Sequence, residues 1–275
     1  MAPTGELKRV LNIPPILDPD APMLLIDIGN TAIHMGTWAD SRVQCATSFA
    51  SDNPAAFDEA FAAHCDTMPQ RRPPAVVIAS VAPPTLERIR TILEARLEQE
   101  VLVIGESVPL PLDLKVRDKR AVGVDRVCAA AAAFERLQGS CVVVDFGTAV
   151  TVDLVDDDGV FLGGAIFPGV ALQLQAMHEH TAQLPAVQPG VPPQAFGRDT
   201  IEAMQIGVCR GIVGAVRGIV EGYATERNQW PFVVATGGDL ALLMPLCDFI
   251  DKAVADLTLA GVGLAYSKYL AANGV

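Results

Sequence analysis

Cys141-Val142-Val143-Val144-Asp145-Phe146-Gly147-Thr148-Ala149-Val150-Thr151-Val152-Asp153 decides the fold class, because its pattern already occurs once, at Met23-Leu24-Leu25-Ile26-Asp27-Ile28-Gly29-Asn30-Thr31-Ala32-Ile33. Each copy reads apolar strand, D-x-G, threonine, apolar strand, and the second Asp stands 118 residues after the first. Short apolar runs closed by turn residues are buried strands. The duplication predicts two α/β halves whose D-x-G turns face one cleft. Backbone N–H groups, hydroxyls and two carboxylates gathered there suit the phosphates of a nucleotide and their metal.

Working outward, Ala75 to Val81 reads as a buried strand and Leu86 to Leu97 as a helix with Arg88, Arg90 and Arg96 outward. Val101 to Ile104 is again strand-like. Val124 to Leu137, rich in Ala, is a helix stopped at Gly139. Strand alternating with helix gives an α/β chain. The expected division is an N-terminal extension over 1–22, a first half over 23–138 and a second over 139–275. The segment from Gly159 to Met177 is long enough to span a bilayer, but its Gly, Pro and Gln residues make it a buried strand and turn. The last long helix runs from about Thr200 to Ala224 and carries Gly207, Gly211, Gly214, Gly218 and Gly222 on one stripe. Glycine costs about 1 kcal/mol relative to Ala in a helix, so the stripe implies close packing, inside the fold or across a dimer.

Composition narrows the function. With 20 basic and 32 acidic residues the 275-residue chain carries −12, which repels a phosphate backbone and argues against nucleic-acid binding. Its 51% apolar content excludes disorder. Arg210, Arg217 and Glu221 argue against a membrane setting for the glycine-striped helix. Six cysteines without a C-x-x-C pair read as reduced core thiols of a cytoplasmic protein. The four histidines show no metal-binding spacing.

Several motifs carry a bland and a chemical reading together. A lone D-x-G is a turn in which Asp bonds its own backbone and Gly takes positive φ. Gly237-Gly238 ends the apolar run from Val233 and is either a strand-to-helix turn or a place where backbone approaches a flat ligand such as adenine. Asp125 opens the Ala-rich helix, where the helix dipole would lower its pKa and keep it ionised, ready to accept a hydrogen bond from an alcohol. Lys115, Arg117, Lys119 and Arg120 form a basic stretch, a solvated loop or a landing site for an anion. Asp199-Thr200-Ile201-Glu202 resembles a capping box, and Thr200 stands where helix N–H groups bind anions.

In order, DIGNT at 27–31, SVAP at 80–83, GVDR at 123–126, DFGTAVTVD at 145–153, GGAIFPG at 163–169, TAQLP at 181–185, GRDTIEAMQIG at 197–207, ATGG at 235–238 and LTLAG at 257–261 resemble the type III pantothenate kinases. That family sits in the acetate-and-sugar-kinase/Hsp70/actin superfamily. The resemblance covers almost everything after residue 22 and implies duplicated ribonuclease H-like (actin-like ATPase) domains. It also implies ATP-dependent phosphorylation of pantothenate to 4′-phosphopantothenate, the first step of coenzyme A biosynthesis, by a homodimer. A non-catalytic nucleotide-binding accessory protein and a kinase of another hydroxylated small molecule are the alternatives.

Carried over by position, the resemblance places ATP, with Mg2+, on Asp27, Ile28, Gly29, Asn30, Thr31, Ala32, Ile33 and His34, with Thr148, and the chemical reading above adds Gly237 and Gly238. Asp125 becomes the proton acceptor. Gly123, Val124, Asp125, Arg126 and Thr200 line the pantothenate pocket, and Asp145 holds a monovalent cation, K+ or NH4+. Val116 stands where the family has a pocket Tyr, and Lys119 where it has Pro.

Overall fold

The computed structural model describes residues 22–68 and 74–274, so nearly all of the expected extension over 1–22 lies outside the described residues. The first half opens with β1 (Met23–Ile28), β2 (Ala32–Ala39), β3 (Arg42–Ala50), α1 (Pro54–Thr67), β4 (Ala75–Ser80), α2 (Pro83–Leu97) and β5 (Leu102–Val103). Its sheet runs β3-β2-β1-β4-β5, antiparallel among the first three strands and parallel from β1 to β5. After β6 (Asp113–Leu114) and α3 (Val124–Leu137) come β7 (Cys141–Phe146), β8 (Ala149–Val155), β9 (Val160–Pro168), α4 (Val170–Glu179) and α5 (Thr200–Arg227). β10 (Phe232–Thr236), α6 (Leu240–Leu243), β11 (Lys252–Ala253) and α7 (Leu257–Ala272) complete the chain.

The second sheet runs β11-β10-β7-β8-β9-β6. Without the added β6 it repeats the first sheet in order and strand direction. Asp27 and Asp145 are each the penultimate residue of the central strand. The duplication expected from sequence is therefore a duplication of topology.

Both central strands are apolar throughout because each is covered on two sides. In β1, Leu24, Ile26 and Ile28 pack with Phe57, Ile89 and Leu93 of α1 and α2, while Met23 and Leu25 pack with Leu259, Val262 and Tyr266 of α7. In β7, Val142, Val144 and Phe146 meet α4 and α5, while Cys141 and Val143 meet the alanines of α3. Helices α3 and α7 lie against each other, α7 on the first sheet and α3 on the second. Their closest approach is at Gly261, where a Cβ would stand 1.9 Å from the Cys128 carbonyl oxygen.

Several sequence expectations need correction. The helix over 200–224 extends to Arg227, and it is followed by a further long helix, α7. Gly159 to Met177 is not a buried strand and turn: it is β9 plus α4, with Ile166 and Leu172 exposed. Cys45 is exposed on β3, so it is no core thiol, while Cys128, Cys141 and Cys209 are buried; all six cysteines are free. Among the described residues nothing packs on the glycine stripe, since a Cβ at any of its five positions would meet nothing within 4 Å. By length and composition α5 could cross a membrane, but Met204, Val208, Ile212, Val216 and Val220 bury its other face in the second half's core.

Candidate functional site

The two loops meet. Thr31 Oγ1 and Thr148 Oγ1 are 2.7 Å apart, joining residues separated by 117 positions. In the first loop Gly29 N–H donates to the Ala32 carbonyl at 3.0 Å. Neither Gly29 nor Gly147 has the positive φ expected of a D-x-G turn. Glycine is used for close approach instead: a Cβ on Gly29 would lie 3.1 Å from the Ala32 oxygen, and one on Gly147 would lie 3.3 Å from Asp145 Oδ1. Ile28 and Ile33 turn their side chains into the core, so only their backbone can face a ligand. His34 is not a loop residue. It lies in β2 opposite Asp27, where burial lowers its pKa and Asp256 opposes that shift.

Three carboxylates share this region. Asp27 is 8% exposed, its Oδ1 is buried without a hydrogen-bond partner, and burial followed by Asp125 and Asp145 holds it well above the usual carboxylate range. Asp145 is pushed up to about 7 by burial, then by Asp125 and Asp153. Mutual repulsion and an orphaned buried oxygen are what a bound cation relieves, so the residues fit the cations implied by the resemblance. Among the described residues no group of three His, Cys, Asp or Glu side chains is arranged to hold one ion. A cation here would complete its shell with water or phosphate oxygens, as Mg2+ commonly does.

Asp125 sits in the first turn of α3, its Oδ1 accepting from the Arg126 N–H at 2.8 Å. Helix-end donors and the Arg126 charge pull its pKa down as anticipated, but burial prevails and raises it, so the carboxylate is a stronger base than its helix position suggests. Gly123 leaves Asp125 its present rotamer, since a Cβ there would stand 2.5 Å from Asp125 Oδ1 and push the carboxylate aside. Val124 contributes to the same first turn.

Arg126 is held by Asp153, the last residue of the DFGTAVTVD motif. Its Nε donates to both oxygens of Asp153 at 3.1 Å, and an Nη closes the ion pair. Asp153 is 1% exposed and lies opposite Gly164, where a Cβ would come within 2.4 Å of its Oδ1. Burial pushes the Asp153 carboxyl up while Arg126 opposes it, and the guanidinium stands 5.7 Å over the Phe161 ring. Val116 packs on the apolar cluster containing Phe161. Asp153→Ala would strand a buried guanidinium, which costs about 3–5 kcal/mol. A clear fall in the urea midpoint is expected, and an unchanged midpoint would show that solvent already satisfies Arg126.

The two glycines of ATGG divide their work. Gly237, at φ +106°, lets the end of β10 pass beside Asp145, since a Cβ would meet its Oδ1 at 2.4 Å. At Gly238 a Cβ would meet no described atom within 4 Å, so the space beside it is open. Asp199 caps α5 through the Glu202 N–H at 2.8 Å, and Glu202 reaches back to the Arg198 N–H at 2.8 Å. Thr200 is exposed beside them at the first position of α5. Lys119 and Arg120 instead border a cavity of about 600 Å³ shared with Asp113 and Tyr269.

The sequence pattern of the type III pantothenate kinases matches residues 23–222. The chain belongs to this family. A type III pantothenate kinase of Moorella thermoacetica is 35% identical over 251 residues, covering 90% of this chain and 99% of that protein. Among solved structures, a Campylobacter jejuni protein assigned to the Baf family of transcriptional activators is similar with a TM-score of 0.55 and 22% identity, over 90% of this chain and 98% of that one. A 2-hydroxyisocaproyl-CoA dehydratase activator from Clostridium difficile, solved with bound ADPNP, gives 0.51 and 11% over 92% and 97%. At these identities the structural likeness concerns the fold alone, and it agrees with a type III kinase's duplicated α/β architecture.

Proposed function

We propose that this chain transfers the γ-phosphoryl group of ATP to the hydroxyl of pantothenate, giving 4′-phosphopantothenate. The observation that carries the reading is Asp125: a carboxylate raised by burial, electrostatically coupled to Asp27 and Asp145, in a chain of this family. Asp125 accepts the hydroxyl proton, and its raised pKa suits a base that acts late in phosphoryl transfer. Thr31 and Thr148 offer hydroxyls to phosphate oxygens, Asn30, Thr31 and Ala32 offer backbone N–H groups, Gly29 closes the turn that presents them, and Gly238 leaves room for the nucleotide. Arg126, aimed by Asp153, holds the acceptor with Gly123 and Val124, and the resemblance adds Thr200, at the start of α5, as a further contact. Bound cations would supply positive charge to the phosphates, with Mg2+ near Asp27 and a monovalent ion at Asp145.

The two halves, 23–138 and 139–275, each contribute one loop to this cleft. A coupled assay of ATP turnover with and without pantothenate tests the reading. Turnover that needs pantothenate supports it, while turnover only with another hydroxylated acceptor, or none with any, overturns it.

The glycine-striped face of α5 belongs, on this reading, to a homodimer. Five exposed glycines cost the helix about 1 kcal/mol each, and among the described residues no close contact compensates. Gly211→Leu has room in the isolated chain and raises helix propensity, so any loss must arise between chains. Light scattering should show the variant as monomer. A dimer of unchanged mass, with a raised melting temperature, would place the stripe in solvent.

A further inference from the structure

The first loop is fastened from outside by residues that none of the motifs includes. Ser51, just beyond β3, donates its backbone N–H to the Thr31 carbonyl at 3.0 Å and its hydroxyl to the Asn30 carbonyl, also at 3.0 Å. The Ser51 carbonyl in turn accepts from Arg88 Nη2 of α2 at 2.7 Å. The chain Arg88, Ser51, Asn30–Thr31 then continues through the Thr31–Thr148 contact into the loop of the other half.

Peptide geometry gives this clasp a direction. A trans peptide sets its N–H opposite its C=O. Holding the Asn30 and Thr31 carbonyls on Ser51 therefore turns the N–H groups of Thr31 and Ala32 away from Ser51. Such consecutive, fixed N–H groups are the donors that bind an anion without reorganising. We propose that Ser51 is a positioning residue for nucleotide phosphates, acting through the Asn30 and Thr31 peptides, and that Arg88 holds Ser51 in place. Neither side chain touches the nucleotide. The proposal rests on the kinase reading in assigning ATP to this loop.

The test separates aiming from mere folding. Ser51→Ala removes the hydroxyl bond and leaves the backbone one. It should weaken Mg-ADP binding by about 5- to 10-fold in calorimetric titration, the effect of one hydrogen bond. The KM for ATP should rise similarly, with the KM for pantothenate and the melting temperature nearly unchanged. Ser51→Thr, which restores a hydroxyl, should recover most of the affinity. Arg88→Ala should shift the same two quantities in the same direction by less, and it serves as the second probe if Ser51→Ala folds poorly. Unchanged nucleotide affinity in both variants overturns the proposal, as does an equal loss toward pantothenate. Should wild-type protein bind Mg-ADP yet fail to phosphorylate pantothenate, the functional reading falls while the titrations still decide the clasp.

Discussion

Asp125→Asn should keep the fold and lose turnover by about 10²-fold or more, the usual effect of removing a positioned base. Asn is nearly isosteric and can still accept from the Arg126 N–H, so the first turn of α3 should survive. Removing one of three mutually repelling carboxylates should also let Asp27 and Asp145 ionise more easily. Binding of Mg-ADP should accordingly be retained or tightened while turnover collapses. A well-folded Asn variant with wild-type turnover would remove Asp125 from the mechanism.

The second large effect concerns the monovalent cation. Replacing Na+ by K+ or NH4+ at constant ionic strength should raise turnover by about 10-fold or more, because a fixed positive charge beside the phosphates stabilises the transferring group. Asp145→Ala should abolish that dependence and most of the activity. The sign with pH follows from the raised pKa: a cation binds the ionised carboxylate, and below about 7 a proton competes for it. Activation by K+ should therefore weaken as pH falls through that value. Equal rates in Na+ and K+ at every pH would mean that no monovalent ion works at Asp145.

How much of this was legible beforehand depended on where each element is buried. Strands β1 and β7 are covered on both faces, and so they appear as unbroken apolar runs ending in the same motif. Helix α3 was readable residue for residue, from Val124 to Leu137, because alanine propensity and Gly139 both mark it. Strand β3 was not legible: it is an edge strand with no buried face, and its alternation lapses after Arg42-Val43-Gln44-Cys45. Helix α7 was missed for the opposite reason, being wrapped on nearly every side and apolar all round, so it shows no 3.6-residue stripe. In the site, the duplication foretold two facing loops. Arg126 and Asp153 each stand in a quoted motif, but the duplication could not foretell that they pair, or the upward shift of Asp125, which depends on burial that no local pattern reports.

The exchange of α3 and α7 across the two sheets has a consequence for biosynthesis. One face of the first sheet, through Met23, Leu25 and Val77, is sealed by Leu259, Val262 and Tyr266. These lie more than two hundred residues after β1, so until α7 has been made that face has only the partial cover of Val108, Val124 and Cys128. A first half that folds ahead of the second therefore lacks the larger part of its cover over β1 and β4, and that surface is a natural client for a chaperone during translation. A chain stopped before Leu257 would lose the lid of its earliest-made sheet, a defect displaced by more than two hundred residues from the premature end.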